Sequence, residues 1–457
     1  MRFVLILSCL LAGAAHAAPR LIVPADLSVP APSPVIVYDA TPGVAVTITT
    51  ERLNRDGTKA YVGRAEFIAD RMGRVDTGTA AARSGTYTGV DPLGLFWSAA
   101  ETPSIGKDLV RGEVRVTATA EAATTTALTR SAPDPATLLS SRDTPFPGAV
   151  WVRPRSAVRH PVVIVLGGSE GGSSTARECA PLFAARGYAT LGLPYYDPGY
   201  DPTDRIEGLP HTFTDIPVDR LAQVRAWLAT QPDADASSIA LWGVSKGAEF
   251  ALIAASRFDW IRAVVAVVPT DVVWEGWGAS GPPTASFSFD AKPLAFQPYA
   301  GMDAQLAKAA KGEVMDLRRV HLAGRAAYPD RLAAARIPIE RFHGALLLVA
   351  GGADQIWPSA EMAVNIVAAR RSVGLPTELI TAARANHFLS SPGTEPVADA
   401  MTLGADGSTI ARTRAAAWKA TFDLLERVLP HEELGHAQAQ NITSKSSTKI
   451  ARAMSAL

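Results

Sequence analysis

Ser245, Asp354 and His387 follow one another in the order, and in the local settings, that nucleophilic attack on a carbonyl requires. Gly243-Val244-Ser245-Lys246-Gly247 comes after the apolar run Ile239 to Trp242 and opens the helix-forming stretch Ala248 to Ala255, a strand, a sharp turn and a helix. The flanking glycines let such a turn adopt strained angles and bring strand against helix. The serine oxygen is then left exposed at a helix N-terminus, where developing negative charge is favoured. A hydroxyl is a weak nucleophile by itself, so a base must take its proton and an acid must hold that base.

The pattern occurs a second time, at Gly167-Gly168-Ser169-Glu170-Gly171, also after a strand-like run. Chain order separates the two, because in this chemistry the acid and then the histidine follow the nucleophile after few further strands. From Ser245 only Ala263 to Val268 intervenes before Ala345 to Ala350, whose end carries Gly351-Gly352-Ala353-Asp354. Ser245 is therefore the expected nucleophile. The Gly167 loop is expected to complete an oxyanion hole, with one backbone N–H from Lys246 and a second from the Gly168-Ser169 corner, Ser169 by preference. A phosphate-binding loop is the rival reading of these glycines, but Gly-Lys-Ser/Thr is absent.

Asp354, at the end of a strand, is the expected acid. Capping the helix that begins near Pro358 is its alternative role, and Asp271, just past the preceding strand, is the reserve. His387 follows the last strand by a short loop and is the expected base. His160, His211, His321 and His343 do not follow a strand in the required order, and His16, His431 and His436 fall in terminal segments. No His-x-x-x-His, Cys-x-x-Cys or carboxylate-rich run is present, so neither metal nor cofactor is expected.

These residues need a scaffold, and short apolar runs alternating with helical stretches supply its pattern after His160. Val162 to Leu166, Ala189 to Leu193, Ile239 to Trp242, Ala263 to Val268, Ala345 to Ala350 and Thr377 to Thr381 read as strands of a parallel sheet covered on both faces. Trp418, Phe422, Leu425 and Val428 mark a last helix over Thr413 to Val428. Residues 271–342 interrupt the alternation and are expected to form a lid or pocket wall. Trp274, Trp277, Phe287, Phe289 and Phe296 within it are either an apolar acyl pocket or ordinary packing.

From Arg20 to about Glu121, period-two alternation such as Val44 to Thr49 and Val114 to Thr119 argues for an antiparallel, immunoglobulin-like sandwich. Residues 122–150 read as a linker or domain edge. The expected organisation is a sandwich over 18–130 and a catalytic domain over 131–430 with the insertion at 271–342, followed by a disordered tail over 431–457. Met1-Arg2, the apolar Phe3 to Leu11 and Ala15-His16-Ala17 read as a cleaved export signal over 1–17, which places the mature protein in the periplasm or outside the cell. Removal of that leader leaves Cys179 as the one cysteine, expected to be buried and inert, with no disulfide possible.

The chain has 457 residues, with 44 basic against 44 acidic, so no global field draws nucleic acid or an anionic membrane. No later run approaches the roughly 20 apolar residues of a spanning helix. With 47% apolar and 19% charged residues, most of the chain can fold around cores.

Several segments resemble one family, the acyl-CoA thioesterases and bile acid-CoA:amino acid N-acyltransferases. They are Ala65-Glu66-Phe67, Gly73-Arg74-Val75-Asp76 and Gly85-Thr86-Tyr87-Thr88-Gly89-Val90-Asp91-Pro92-Leu93-Gly94-Leu95-Phe96-Trp97-Ser98, then Gly187 to Leu191 with Pro194-Tyr195-Tyr196, Gly243 to Glu249, and Gly352 to Ser359. The resemblance implies a β-sandwich followed by an α/β-hydrolase domain, with catalytic roles for Ser245, Asp354 and His387. It also implies an acyl ester or thioester as the small-molecule partner. Members with serine at the elbow are typically thioesterases and those with cysteine conjugate amino acids, so Ser245 implies hydrolysis. An acyltransferase to an amine, an exported peptidase or esterase on the same fold, and an inert binding protein are the alternatives.

Overall fold

The computed structural model describes residues 18–430 apart from 29, 31, 55–56, 104–107, 201, 204 and 398–403. The expected leader and tail lie outside the described residues. Two compact units emerge, one ending at Ser131 and one starting at Ala132, with Ser28–Ala31 grouped with the second.

The first unit is a sandwich of two antiparallel sheets. In the larger, Ala45–Leu53 lies between Ala60–Ile68 and Glu113–Ala120, and Ala123–Arg130 pairs with the latter's outer edge. Alternation puts Val46, Ile48, Val114, Val116 and Phe67 on one face, where they meet Val37 and Val75 of the smaller sheet, and Val35 just before it, in a common core. The Gly85 to Ser98 block closes this unit, with Asp91 accepting from the Leu93 N–H at 3.0 Å and from Trp97 Nε1 at 3.1 Å. Thr124 to Thr126 belong to a strand and not to a linker. β-Branched threonines fit a pleated surface, and Glu121, at φ 52°, makes the tight turn that folds this strand back on its neighbour.

The second unit is built on an eight-stranded sheet. In chain order the strands are Leu138–Ser141, Val150–Pro154, His160–Leu166, Ala189–Gly192, Ala234–Val244, Ile261–Val267, Ala345–Gly351 and Glu378–Ala382, and across the sheet they run 1-2-4-3-5-6-7-8. The first two are antiparallel additions: Leu138–Ser141 lies within the stretch read as linker, and Val150–Pro154 begins where that stretch ends, on the short apolar run Ala149 to Val152. The second strand pairs antiparallel with the fourth, and every pairing from there across to the eighth is parallel. His160–Leu166 is buried along its whole length, as a strand covered on both faces must be.

Successive residues of the fifth strand face opposite sides. Leu241 packs into the core that holds Val224 and Phe250, from helices Leu221–Leu228 and Lys246–Ala255. Trp242 stacks on Trp418 at 5.7 Å beneath helix Gly407–Val428. Cys179 is buried in helix Ser174–Ala184. This is an α/β-hydrolase sheet, and its parallel strands all end on the same side.

Candidate active site

Ser245 occupies the turn between the fifth strand and helix Lys246–Ala255 at φ 56°, ψ −118°, a left-handed region that a residue with a side chain enters only under constraint. Two features supply the constraint. The Ser245 N–H donates to Val267 O at 2.9 Å, and the helix packs so tightly on the sheet that a Cβ on Gly247 would stand 2.3 Å from the carbonyl oxygens of both Leu166 and Gly167. Leu166 lies opposite Gly243 in the sheet, which sets the Gly167 loop beside the elbow.

Asp354 and His387 reach Ser245 from the ends of the seventh and eighth strands. Ser245 Oγ lies 3.0 Å from His387 Nε2, and His387 Nδ1 lies 2.8 Å from Asp354 Oδ2. A carboxylate only accepts, so Nδ1 carries the proton and Nε2 is left to accept the serine hydroxyl. The two loops approach closely because Gly351 has no side chain; a Cβ there would meet Asn386 O at 2.4 Å.

Asp354 does not take the capping role weighed for it: helix Ser359–Arg371 starts after Pro358 with no side-chain cap, and the two carboxylate oxygens divide between the loop before that helix and His387. Oδ1 accepts from the N–H groups of Ile356 and Trp357 at 2.9 and 3.2 Å, holding the turn into helix Ser359–Arg371, while Oδ2 takes His387 and the Ser359 hydroxyl at 2.6 Å. Burial pushes this carboxyl's pKa up, but the imidazole and these donors outweigh burial and hold it below the usual carboxylate range. Asp271, the reserve acid, is engaged elsewhere, paired with Arg325 and accepting from Asn365 Nδ2 at 2.7 Å.

Lys246 and Ser169 line the same cavity as Ser245 and His387. Lys246 is the first residue of its helix, where backbone N–H groups have no intrahelical acceptor. Ser169 lies in a turn pinned by Glu170, whose Oε1 accepts from the Gly168 N–H at 2.9 Å and from Thr175 Oγ1 at 2.6 Å. Tyr195 OH donates to Gly167 O at 2.7 Å, and burial pushes this phenol's pKa well up.

The cavity measures about 1370 Å³, and residues between Glu275 and Tyr328 of the insertion form much of its wall. Of the five aromatics suggested for an acyl pocket, only Trp277 lines it. Trp274 and Phe287 are fully buried, and Phe289 packs on Phe258. Met302, Leu306, Met315, Leu317 and Ile356 supply apolar lining in their place.

Sequence reading missed three features. Lys246 is only 3% exposed, with Nζ 2.6 Å from Glu249 Oε2 and 2.7 Å from Ser286 Oγ, over the rings of Phe213, Trp277 and Phe287. Glu249 Oε1 accepts from the Trp274 N–H at 3.0 Å, so this pair ties the elbow helix to the insertion. Burial lowers the lysine's pKa and raises the glutamate's, each partner opposing the change in the other. Spacing of i and i+3 on a helix was the available signal for the pair. The second feature is His321, held between Trp274, Tyr299 and Trp357 and driven by burial to a pKa of about 3. Trp357, the third, donates its Nε1–H to Val268 O at 3.2 Å and sets its ring edge against His387. Among the described residues no cluster of three or more His, Cys, Asp or Glu is placed to hold a metal ion, and no helix is long and apolar enough to cross a membrane.

Comparison with known proteins matches residues 31–131 to the N-terminal region of acyl-CoA thioester hydrolase/BAAT proteins and residues 221–429 to their C-terminal region. Residues 148–288 also match the dienelactone hydrolase family. Human mitochondrial acyl-coenzyme A thioesterase 2 is 26% identical over 72% of this chain and 65% of its own length, which is slightly under two thirds of that relative. Human acyl-coenzyme A thioesterase 1 is 26% identical over 72% of this chain and 75% of its own. Among solved structures, an acylaminoacyl peptidase of Pyrococcus horikoshii aligns at 13% identity and a TM-score of 0.40 over 82% of this chain and 55% of its own. Matched at both its sandwich and its catalytic sheet by the two regions of a single family, this chain belongs to the acyl-CoA thioester hydrolase/BAAT family of α/β-hydrolases.

Proposed function

We propose that this chain is a serine hydrolase that cleaves acyl thioesters or esters through an acyl-serine intermediate. The observation that carries the proposal is the hydrogen-bonded chain from Ser245 Oγ through His387 to Asp354, set on a strained elbow at the wall of a large, partly apolar cavity. His387 Nε2 takes the hydroxyl proton as Oγ attacks the acyl carbon. Asp354 holds Nδ1–H and stabilises the imidazolium that forms, and the backbone N–H groups of Lys246 and Ser169 receive the oxyanion. Collapse breaks the bond to the leaving group, which departs with the proton from His387; water, deprotonated by the same nitrogen, then releases the acid.

Fluorophosphonate labelling followed by intact mass tests this directly. One adduct is expected on the wild-type protein and none on Ser245→Ala; an adduct that persists on the variant overturns the assignment. Product analysis with glycine or taurine present distinguishes hydrolysis from transfer, and free acid is the expected product. Residues 1–17 are proposed to be removed on export, so protein recovered from the periplasm or medium should begin at Ala18.

A further inference from the structure

We infer that His321 is a specificity-determining residue of this site, a fixed hydrogen-bond acceptor that selects substrates carrying an N–H or O–H donor close to the scissile bond. The inference rests on the serine-hydrolase reading and concerns the substrate of that same site.

His321 lies one turn into helix Leu317–Ala327, on its buried face, and is only 5% exposed. Its Nδ1 stands 2.7 Å from Leu317 O. A carbonyl only accepts, so Nδ1 carries the proton and Nε2, on the opposite edge of the ring and turned away from the helix, keeps a lone pair. Burial holds the ring neutral, so that lone pair is not lost to a proton near neutral pH. The mount is rigid as well. One turn further along, a Cβ on Gly324 would stand 2.2 Å from Pro298 O, and Gln297 Nε2 donates to Gly324 O at 2.9 Å.

No ring of the surrounding cage answers this acceptor. Trp274 and Trp357 meet His321 edge to face, but the Trp274 Nε1–H donates to Thr270 Oγ1 at 2.8 Å and the Trp357 Nε1–H to Val268 O at 3.2 Å. Tyr299, stacked on Trp274, also meets His321 edge to face and makes no hydrogen bond to it. Among the described residues Nε2 therefore has no partner, and the wall to which His321 belongs is that of the cavity holding Ser245 and His387.

Trp357 stands between the two histidines, its ring centroid 5.7 Å from each, so the group that meets Nε2 belongs to the part of the substrate near the acyl carbon. A substrate that fills the cavity shuts solvent away from Nε2. If it offers an N–H or O–H there, the acceptor is satisfied; if it offers only C–H, a buried acceptor is left unpaired, and that loss is what discriminates. Two parts of the substrate can supply the donor: a hydroxyl on the acyl group, or an amide in the leaving group such as the pantetheine arm of coenzyme A carries. The chemistry at Nε2 is the same, and matched substrates separate the sources.

The test uses the purified full chain and two sets of matched thioesters. In the first, an octanoyl group is carried on N-acetylcysteamine or on mercaptoethyl acetate, which puts an ester oxygen where the amide N–H stood. In the second, octanoyl and its α- and β-hydroxy derivatives are each carried on mercaptoethyl acetate. In at least one set, kcat/KM for the donor-bearing member is expected to exceed that of its partner by ~10-fold or more, and the set that responds identifies the source. His321→Phe keeps a ring in the cage but removes the acceptor, and should bring that ratio to within about 3-fold of unity. His321→Gln, whose amide oxygen can stand in for Nε2, should recover part of it. Each ratio is read on one preparation, so it does not depend on how much of a variant is folded. A ratio near unity in both sets on the wild-type protein, a ratio that His321→Phe leaves unchanged, or fluorophosphonate labelling without turnover of any thioester overturns the inference while leaving Ser245 as the nucleophile. Failure of labelling together with failure of turnover removes the hydrolase reading, and this inference with it.

Discussion

The two Gly-x-Ser-x-Gly loops share a pattern, lie side by side at the ends of adjacent parallel strands, and present different things. At Ser245 the serine itself takes the left-handed conformation, and the side chain is thrust toward His387. In the Gly167 loop the left-handed positions are Gly171 and Gly172, one and two residues beyond Glu170, and Ser169 sits in an ordinary turn whose preceding N–H is claimed by Glu170. One loop is shaped to expose an oxygen, and the other carries its strain on glycines, as the proposed oxyanion role of its backbone requires. The pattern marks close packing of strand and helix; which residue absorbs the strain decides what the loop offers.

The largest effect that would separate them is loss of the serine oxygen. Ser245→Ala should lower kcat on a thioester substrate by on the order of 10⁶-fold. If Ser169→Ala did this instead, the comparison would be inverted. Asp354→Asn should cost about 10⁴-fold in kcat, because an amide does not hold the Nδ1–H tautomer that leaves Nε2 free to accept. That variant keeps an oxygen for the Ile356 and Trp357 N–H groups, so its urea midpoint should fall far less than its rate.

Packing separates the loops next. Gly247→Ala places a methyl against two backbone carbonyls and should destabilise the protein by on the order of 3 kcal/mol in denaturant titration. At Gly172 nothing lies within 4 Å of an added Cβ and only the backbone angle objects, so Gly172→Ala should cost about 1 kcal/mol.

A pH scan reads the cavity in front of the elbow. His321 has its folded pKa depressed to about 3 from an ordinary 6.5, so the unfolded chain takes up a proton that the native one refuses. Its contribution is fully present above pH 6.5 and is lost as the pH falls toward 3. Stability should drop by about 3 kcal/mol between pH 7 and pH 4 beyond what His321→Gln shows.

The smallest effect is the most specific. Ser169→Ala keeps the backbone N–H and should change kcat by no more than a few-fold. A large loss there would mean that the hydroxyl and not the backbone is what this loop provides.

Much of this was legible because it is local. Largely apolar runs of four to six residues announced most of the parallel strands, since a strand covered on both faces has no polar side to show; the last, Glu378–Ala382, is a half-exposed edge strand. Gly243 to Gly247 announced the elbow, and chain order pointed from it to Asp354 and His387. Alternation announced the sandwich but stopped short at Ala123–Arg130, where threonine on an outer strand looks like linker. Leu138–Ser141 was missed for a related reason: an antiparallel strand added at a sheet edge needs no continuous apolar run, and the run Ala149 to Val152 that opens Val150–Pro154 is as short as the shortest run read as a strand.

What the sequence by itself determined, then, is the order of elements and the identity of the residues at the strand ends, because periodicity and turn chemistry are written within a few residues. Tertiary structure alone decided which aromatics face the cavity and which fill the core, why Asp271 is bound to Arg325 and not to His387, and that Lys246, at the cavity wall, is locked to Glu249. Each of these depends on distances between residues far apart in the chain. Burial is what turns those distances into chemistry: the same lysine in solvent would be a free cation, and on this helix it is a strut.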